Sequence, residues 1–263
     1  MRKALGLLLV LPLIGAGCSA LPIDTNHPVT QVQPLGQSQG GSWKKVEDGL
    51  DRLEYTSTQG VTVVMYRLDP AYFTFQFEAS TGTHGLAEWF GAYPNAALMI
   101  NGVYFHDDNM PSGFLVTNGR REGDRAFDMN KSGMIDVSDG SVRILDTSVD
   151  TPRLESFNNA AQSYPFYFKG GEPSIKEDTQ LTARRSFIGK DQHGNIYIGV
   201  VPVAEISLYQ AMQLLDETDV DWANVINLDG GPSTGLFVHG RGFTEELPSL
   251  FPVPNVLTAW RKY

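Results

Sequence analysis

A chain of 263 residues, 41% of them hydrophobic and 11% aromatic, is long enough to enclose a substantial core. Its formal charge of −10 at neutral pH argues against nucleic acid and against a broad polyanion-binding face, so any phosphate must be met by a local set of donors. The only cysteine, Cys18, leaves no pair for an internal disulfide and no thiolate cluster for a metal.

In chain order, residues 1–17 join Arg2 and Lys3 to the apolar run ALGLLLVLPLIGAG, which is too short and wrongly flanked for a spanning helix but suits a secretory signal. Gly15-Ala16-Gly17 ahead of Cys18 are small residues of the kind a lipoprotein signal peptidase needs, although Gly15 stands where leucine is usual. The expectation is an exported protein anchored to the membrane by a lipid on Cys18, with plain secretion as the alternative. Ser19 after the cysteine resembles the outer-membrane signal of a Gram-negative host, which would place the domain in the periplasm. Residues 18–42, rich in Pro, Gly, Gln and Ser without apolar periodicity, read as a flexible tether, and 43–263 as the folded domain.

Beyond Trp43, β-like runs dominate at 60–69, 72–79, 96–105, 141–147, 185–190, 195–203 and 224–230, several with period-two alternation and turn residues between them. Two stretches read as helices, 84–93 and 207–218. In the second, Ser207 with Gln210 three residues on forms a capping-box pattern ahead of Ala211, Met212, Leu214 and Leu215. The fold class predicted from this pattern is α+β, a single domain of mostly antiparallel sheet with a few packed helices.

Four segments gather polar groups at strand ends, where a rigid scaffold can hold them beside a cleft. In the first, an apolar strand runs into Asn101-Gly102. Asn101 can exchange hydrogen bonds with sugar hydroxyls, and Tyr104 and Phe105 offer a pyranose an apolar face, although Asn-Gly is also a plain turn signal and the aromatics plain core. His106, Asp107 and Asp108 follow, able to shuttle a proton or bind a cation, or simply to form a solvated loop. The histidines show no HxH or HxxxH spacing, so a zinc site has no support.

The second segment places Gln162 before a proline-containing apolar stretch. In the third, Arg184 and Arg185 precede a strand. Neighbours on a strand point opposite ways, so at most one of these two can face a given site, where its planar fork would suit phosphate. The fourth ends an apolar strand at Asp229, followed by Gly230-Gly231, Ser233 and Thr234. Such a glycine pair can bring backbone N–H groups close to an anion, or equally form a structural Gly-rich hairpin. The lysine and spacing of a Walker A loop are missing.

These segments, NGVYF at 101–105, QSYP at 162–165, RSFIG at 185–189 and LDGGPS at 228–233, together and in this order resemble the phosphodiester glycosidase family. FHDDNMPSGFLVTNG is also similar to a bacterial branch labelled exopolysaccharide-biosynthesis proteins. The resemblance implies hydrolysis of a glycosyl-1-phosphodiester, or a related envelope glycan or exopolysaccharide, at the sugar side. It implies that Asn101, Gly102, Tyr104, Gln162, Arg185, Gly230, Gly231 and Ser233 bind substrate and that Asp229 is catalytic. Pro232, where relatives carry a small residue, removes one N–H from the loop. A phosphodiester departs with little protonation, so one carboxylate can suffice; a second, if used, is Asp107 ahead of Asp108 and Glu172. No cofactor or metal is expected, with a divalent cation left open. The partner is a sugar-1-phosphodiester or phosphoglycan, with membrane contact through the lipid alone. The competing class is a non-catalytic envelope lipoprotein that binds exopolysaccharide or phosphoglycan in the same pocket, and a third reading is cleavage on the phosphorus side.

Overall fold

The computed structural model describes residues 40–123 and 127–262. The signal segment, Cys18 and nearly all of the tether lie outside the described residues.

Strands β1 (Lys44–Glu47), β2 (Leu50–Thr56) and β3 (Thr62–Leu68) form an opening meander. β4 (Phe73–His84) leads through helix α1 (Leu86–Ala92) into β5 (Ala96–Asn101). Short strands follow: β6 (Leu115–Thr117), β7 (Arg120–Arg121), β8 (Gly133–Asp136), β9 (Arg143–Asp146), β10 (Ala160–Ser163), β11 (Phe166–Lys169) and β12 (Glu172–Pro173). The long hairpin of β13 (Ala183–Asp191) and β14 (Ile196–Ile206) precedes helix α2 (Leu208–Asp216) and β15 (Trp222–Asn227). Then come β16 (Leu236–Gly240), β17 (Phe243–Leu247) and β18 (Val253–Arg261).

The strands build three sheets: an eight-stranded one in the order β1-β2-β3-β14-β13-β15-β11-β12, a small one in the order β7-β6-β10-β8-β9, and a third in the order β17-β16-β5-β18-β4. Every pairing is antiparallel. The α+β expectation is therefore corrected. The fold is mostly β, with only two α-helices among the described residues, of seven and nine residues. Much of the chain between and beyond the recognised runs is strand, and it hides its period because many strands are buried on both faces.

β3 shows how this works. Val64, Tyr66 and Leu68 enter a core shared by all three sheets, together with Phe77 of β4, Ile100 of β5, Ile135 of β8 and Ile188 of β13. The alternate residues Val63 and Met65 pack on the opposite face with Phe187, Trp222 and the α2 residues Met212 and Leu215. Each such side chain contributes roughly 1.5–3 kcal/mol by leaving water. The capping box at the start of α2 is formed, with Gln210 N–H donating to Ser207 Oγ at 3.1 Å and Ser207 N–H to Gln210 Oε1 at 2.9 Å. α1 closes the outer face of the third sheet, where Leu86, Trp89 and Phe90 meet Met99, Phe237 and Val256. Both helices are thus lids on sheet faces. β5 and β15 end, and β13 begins, at one place, where the first, third and fourth motifs meet, while Gln162 of the second stands on β10 of the small sheet.

Candidate functional site

β5 ends in Asn101, which is wholly buried and ties three of the four motifs together. Its Nδ2 donates to the Asp229 carbonyl at 2.6 Å, and its Oδ1 accepts from Ser186 Oγ at 2.8 Å and from the Gly235 N–H at 3.2 Å. Gly102 donates its N–H to the Asn255 carbonyl at 3.0 Å and accepts the Asp229 N–H at 3.1 Å. A Cβ at Gly102 would stand 2.0 Å from Asn255 Oδ1, so only glycine lets β5 and β18 approach this closely.

Asp229 follows β15 and opens a turn through Gly230, Gly231, Pro232 and Ser233. Burial pushes its carboxyl pKa up, opposed by hydrogen bonds from Ser233 and from the Gly230 N–H at 2.9 Å. Gly231 has φ +58°, and a Cβ on Gly230 would meet the Arg184 carbonyl oxygen at 2.7 Å. The Ser233 and Thr234 N–H groups donate within the turn, to Gly230 and Gly231 carbonyls, both at 3.2 Å. The loop therefore engages most of the donors that the sequence offered to an anion. Arg184 clamps it from β13, donating from Nε to the Gly231 carbonyl at 3.0 Å and from Nη2 to the Pro232 carbonyl at 3.2 Å.

Arg185 is buried, and its guanidinium is anchored by Nε to the Ile206 carbonyl at 2.9 Å and Nη2 to the Leu181 carbonyl at 2.7 Å. Its charge reaches the hydroxyls of Tyr104 and Tyr167, where it partly opposes the rise in pKa that burial imposes on both. For Tyr104 the rise is reinforced by Tyr167 and by Asp229, so this phenol stays protonated across the working pH range. The Tyr104 ring lies tilted against Tyr164, centroids 5.0 Å apart, and Lys131 Nζ sits 5.2 Å from the Tyr164 ring.

Gln162 is also buried. Its Oε1 accepts from the N–H groups of Phe114 (2.9 Å) and Asp128 (2.8 Å), and its Nε2 donates to the carbonyls of Asp128 and Lys131, both at 3.0 Å. The amide is saturated by the protein and fastens the segment around 113–131 to β10. Asp107 lies exposed with His106 and Asp108 on a loop closed by the Phe105–Pro111 bridge, and Glu172 is exposed on β12 at a sheet edge. Asp229 is thus the carboxyl embedded in the polar network. Among the described residues no group of three or more His, Cys, Asp or Glu gathers to hold a metal.

Sequence reasoning missed Asn227. This wholly buried residue of β15 accepts the Tyr167 hydroxyl on Oδ1 at 2.6 Å and directs Nδ2 to the Tyr104 hydroxyl. The available signal was its place two residues before Asp229, one strand period away.

Comparison with known proteins bears on this geometry. A family model described as phosphodiester glycosidase matches residues 94–259, which contain all four motifs. No curated protein matches the chain. Among solved structures, a hypothetical protein from Synechocystis is similar with a TM-score of 0.63 and 15% identity over 84% of this chain, which spans 64% of that one. The zebrafish N-acetylglucosamine-1-phosphodiester alpha-N-acetylglucosaminidase catalytic domain, auto-inhibited by its pro-peptide, is similar with a TM-score of 0.62 and 13% identity, covering 86% of this chain and 88% of that one. At such identities these likenesses show a shared fold, whereas the family match extends over more than half of the sequence and over the polar network itself. On that match, the chain belongs to the phosphodiester glycosidase family.

Proposed function

We propose that the protein hydrolyses a glycosyl-1-phosphodiester, or a related envelope glycan, at the sugar side. The observation that carries this reading is the raised-pKa carboxyl of Asp229 on the loop that Asn101 and Arg184 hold in place, in electrostatic contact with the protonated Tyr104 phenol. In the reaction the bond from C1 to the phosphate oxygen breaks, water supplies hydroxyl to C1, and the other product is a phosphomonoester. That leaving group needs little protonation, so the main demand is to assist water or stabilise charge at C1, which Asp229 does. Arg185 keeps donors beyond its two backbone bonds and counters the phosphate charge.

The test is turnover of the methyl ester of N-acetylglucosamine 1-phosphate, a probe that carries the bond named in the zebrafish enzyme, in oxygen-18 water. Label in the free sugar is expected. Label in phosphate would mean cleavage at phosphorus, and bound ester with no sugar released would mean a binding protein. Asp229→Asn should retain sugar binding and lose at least about a hundredfold in turnover, the scale for a positioned acid or base. An equally active variant would remove Asp229 from the chemistry.

We further propose that the domain works in the cell envelope, held by a lipid on Cys18. Cys18→Ser should abolish both membrane association and labelling by a fatty-acid analogue; a wild-type protein already soluble and unlabelled would replace this reading with simple secretion.

A further inference from the structure

We infer that the Tyr104 hydroxyl donates a hydrogen bond to the substrate's phosphate and that the buried Asn227 is the positioning residue that aims it; this rests on the glycosyl-phosphodiester reading above. Asn227 Nδ2 lies 2.6 Å from the Leu228 carbonyl and 3.3 Å from the Tyr164 carbonyl. Carbonyl oxygens only accept, so that end of the side chain must be the amide NH2, and the two ends cannot be exchanged. The opposite end, Oδ1, then accepts the hydroxyl hydrogen of Tyr167, which is wholly buried.

Two NH2 hydrogens face three oxygens, the Leu228 and Tyr164 carbonyls and the Tyr104 hydroxyl, so one hydrogen is shared; the amide nitrogen itself accepts nothing, and at the Tyr104 contact the phenol oxygen is the acceptor. A phenol has one hydrogen, and that of Tyr104 is therefore turned away from Asn227. No hydrogen bond among the described residues has Tyr104 as donor. The charged groups that act on this hydroxyl are Asp229 and Arg185. A neutral O–H donor beside a guanidinium complements an anionic oxygen, and Asp229 in the same surroundings is an acceptor that would repel one. The phosphate is thus met by Tyr104 and Arg185, and the sugar carbon by Asp229. No proton transfer from Tyr104 is involved: as the C1–O bond breaks, charge grows on the phosphate and the same hydrogen bond strengthens. Burial, which holds the phenol protonated, keeps the donor available at every pH at which Asp229 works.

Two variants and two readouts test this. Tyr104→Phe keeps the ring and removes the donor. It should lower kcat about 10- to 100-fold, the worth of one hydrogen bond to a charged group. It should also steepen the dependence of rate on leaving-group acidity across methyl, phenyl and 4-nitrophenyl esters of N-acetylglucosamine 1-phosphate. Binding of inorganic phosphate, measured by calorimetry, should weaken by a similar factor while free N-acetylglucosamine binding stays within about twofold. Asn227→Asp should reproduce these losses, because a carboxylate would accept the Tyr104 hydrogen and pull it from the site, and should add nothing to Tyr104→Phe. If Asn227→Asp fails to fold, Tyr104→Phe alone decides. Wild-type rates and phosphate affinity in Tyr104→Phe would overturn the inference and leave the hydrolase reading standing. A wild-type protein without turnover would overturn that reading, and phosphate affinity would then decide the donor role by itself, an equal value in both proteins refuting it.

Discussion

At Asp229 the burial that raises the carboxyl pKa acts on stability as well as on chemistry. The folded state holds this proton more tightly than the unfolded chain does. Stability from that preference is fully present below the ordinary aspartate range and is lost as pH rises through the raised folded value. At neutral pH the ionised carboxyl is a burden. Asp229→Asn is therefore expected to unfold at higher urea than the wild type at pH 7, with the gap closing as pH falls below the ordinary aspartate range. A variant less stable than the wild type at pH 7 would mean that Ser233 and the Gly230 N–H outweigh burial. Gln162 predicts the opposite behaviour. Its four hydrogen bonds satisfy backbone groups of Phe114, Asp128 and Lys131, and an unmet buried group costs about 1–3 kcal/mol, so Gln162→Ala should lower unfolding free energy by roughly 2–4 kcal/mol.

Among the elements, the close approach of β5 to β18 gives the sharpest expectation. The Cβ of Gly102→Ala would collide with Asn255 Oδ1, and Asn255 holds Val103 by two hydrogen bonds, of 2.7 and 3.2 Å. Overpacking of this kind costs about 1–3 kcal/mol, and because Gly102 also carries the Asp229 N–H, turnover should fall further than stability alone explains. Urea denaturation and steady-state rates on one preparation would separate the two losses. The strand ends that carry Asn101, Arg184 and Asp229 were legible in the sequence because polar residues there interrupt apolar runs, and α2 was legible through its capping box. β10 was not, since Ala160-Ala161-Gln162-Ser163 is buried at every position and has no alternation to read. β18 was hidden by Pro254, which the sheet accommodates at a register shift between Val253 and Asn255. Asn227 looked like an ordinary strand residue because its role depends on Tyr104 and Tyr167, partners that only the tertiary fold brings to it.

For the whole molecule, the helical share of the fold was overestimated because amphipathic stretches announce themselves while doubly buried strands do not. Three sheets around one core also make pairings that are distant in sequence the rule. Phe77 of β4 faces Leu257 of β18, and β18 lies inside its sheet, between β4 and β5. Topologies of this kind fold slowly, on the order of milliseconds to seconds, because loop closure must precede the contacts that reward it. A chain ending at residue 252 lacks that internal strand and is expected to be degraded by thermolysin throughout; a protease-resistant core in this truncation would show that the sheets assemble without it.

The placement of β18 also has a meaning in time. During synthesis from the N-terminus, Asn101 is made early, but the strand that lies beside β5 and receives Gly102 is made late. The cluster around Asn101 and Gly102 consequently cannot close until β18 has emerged and paired with β5, so this candidate site is assembled late among the described residues.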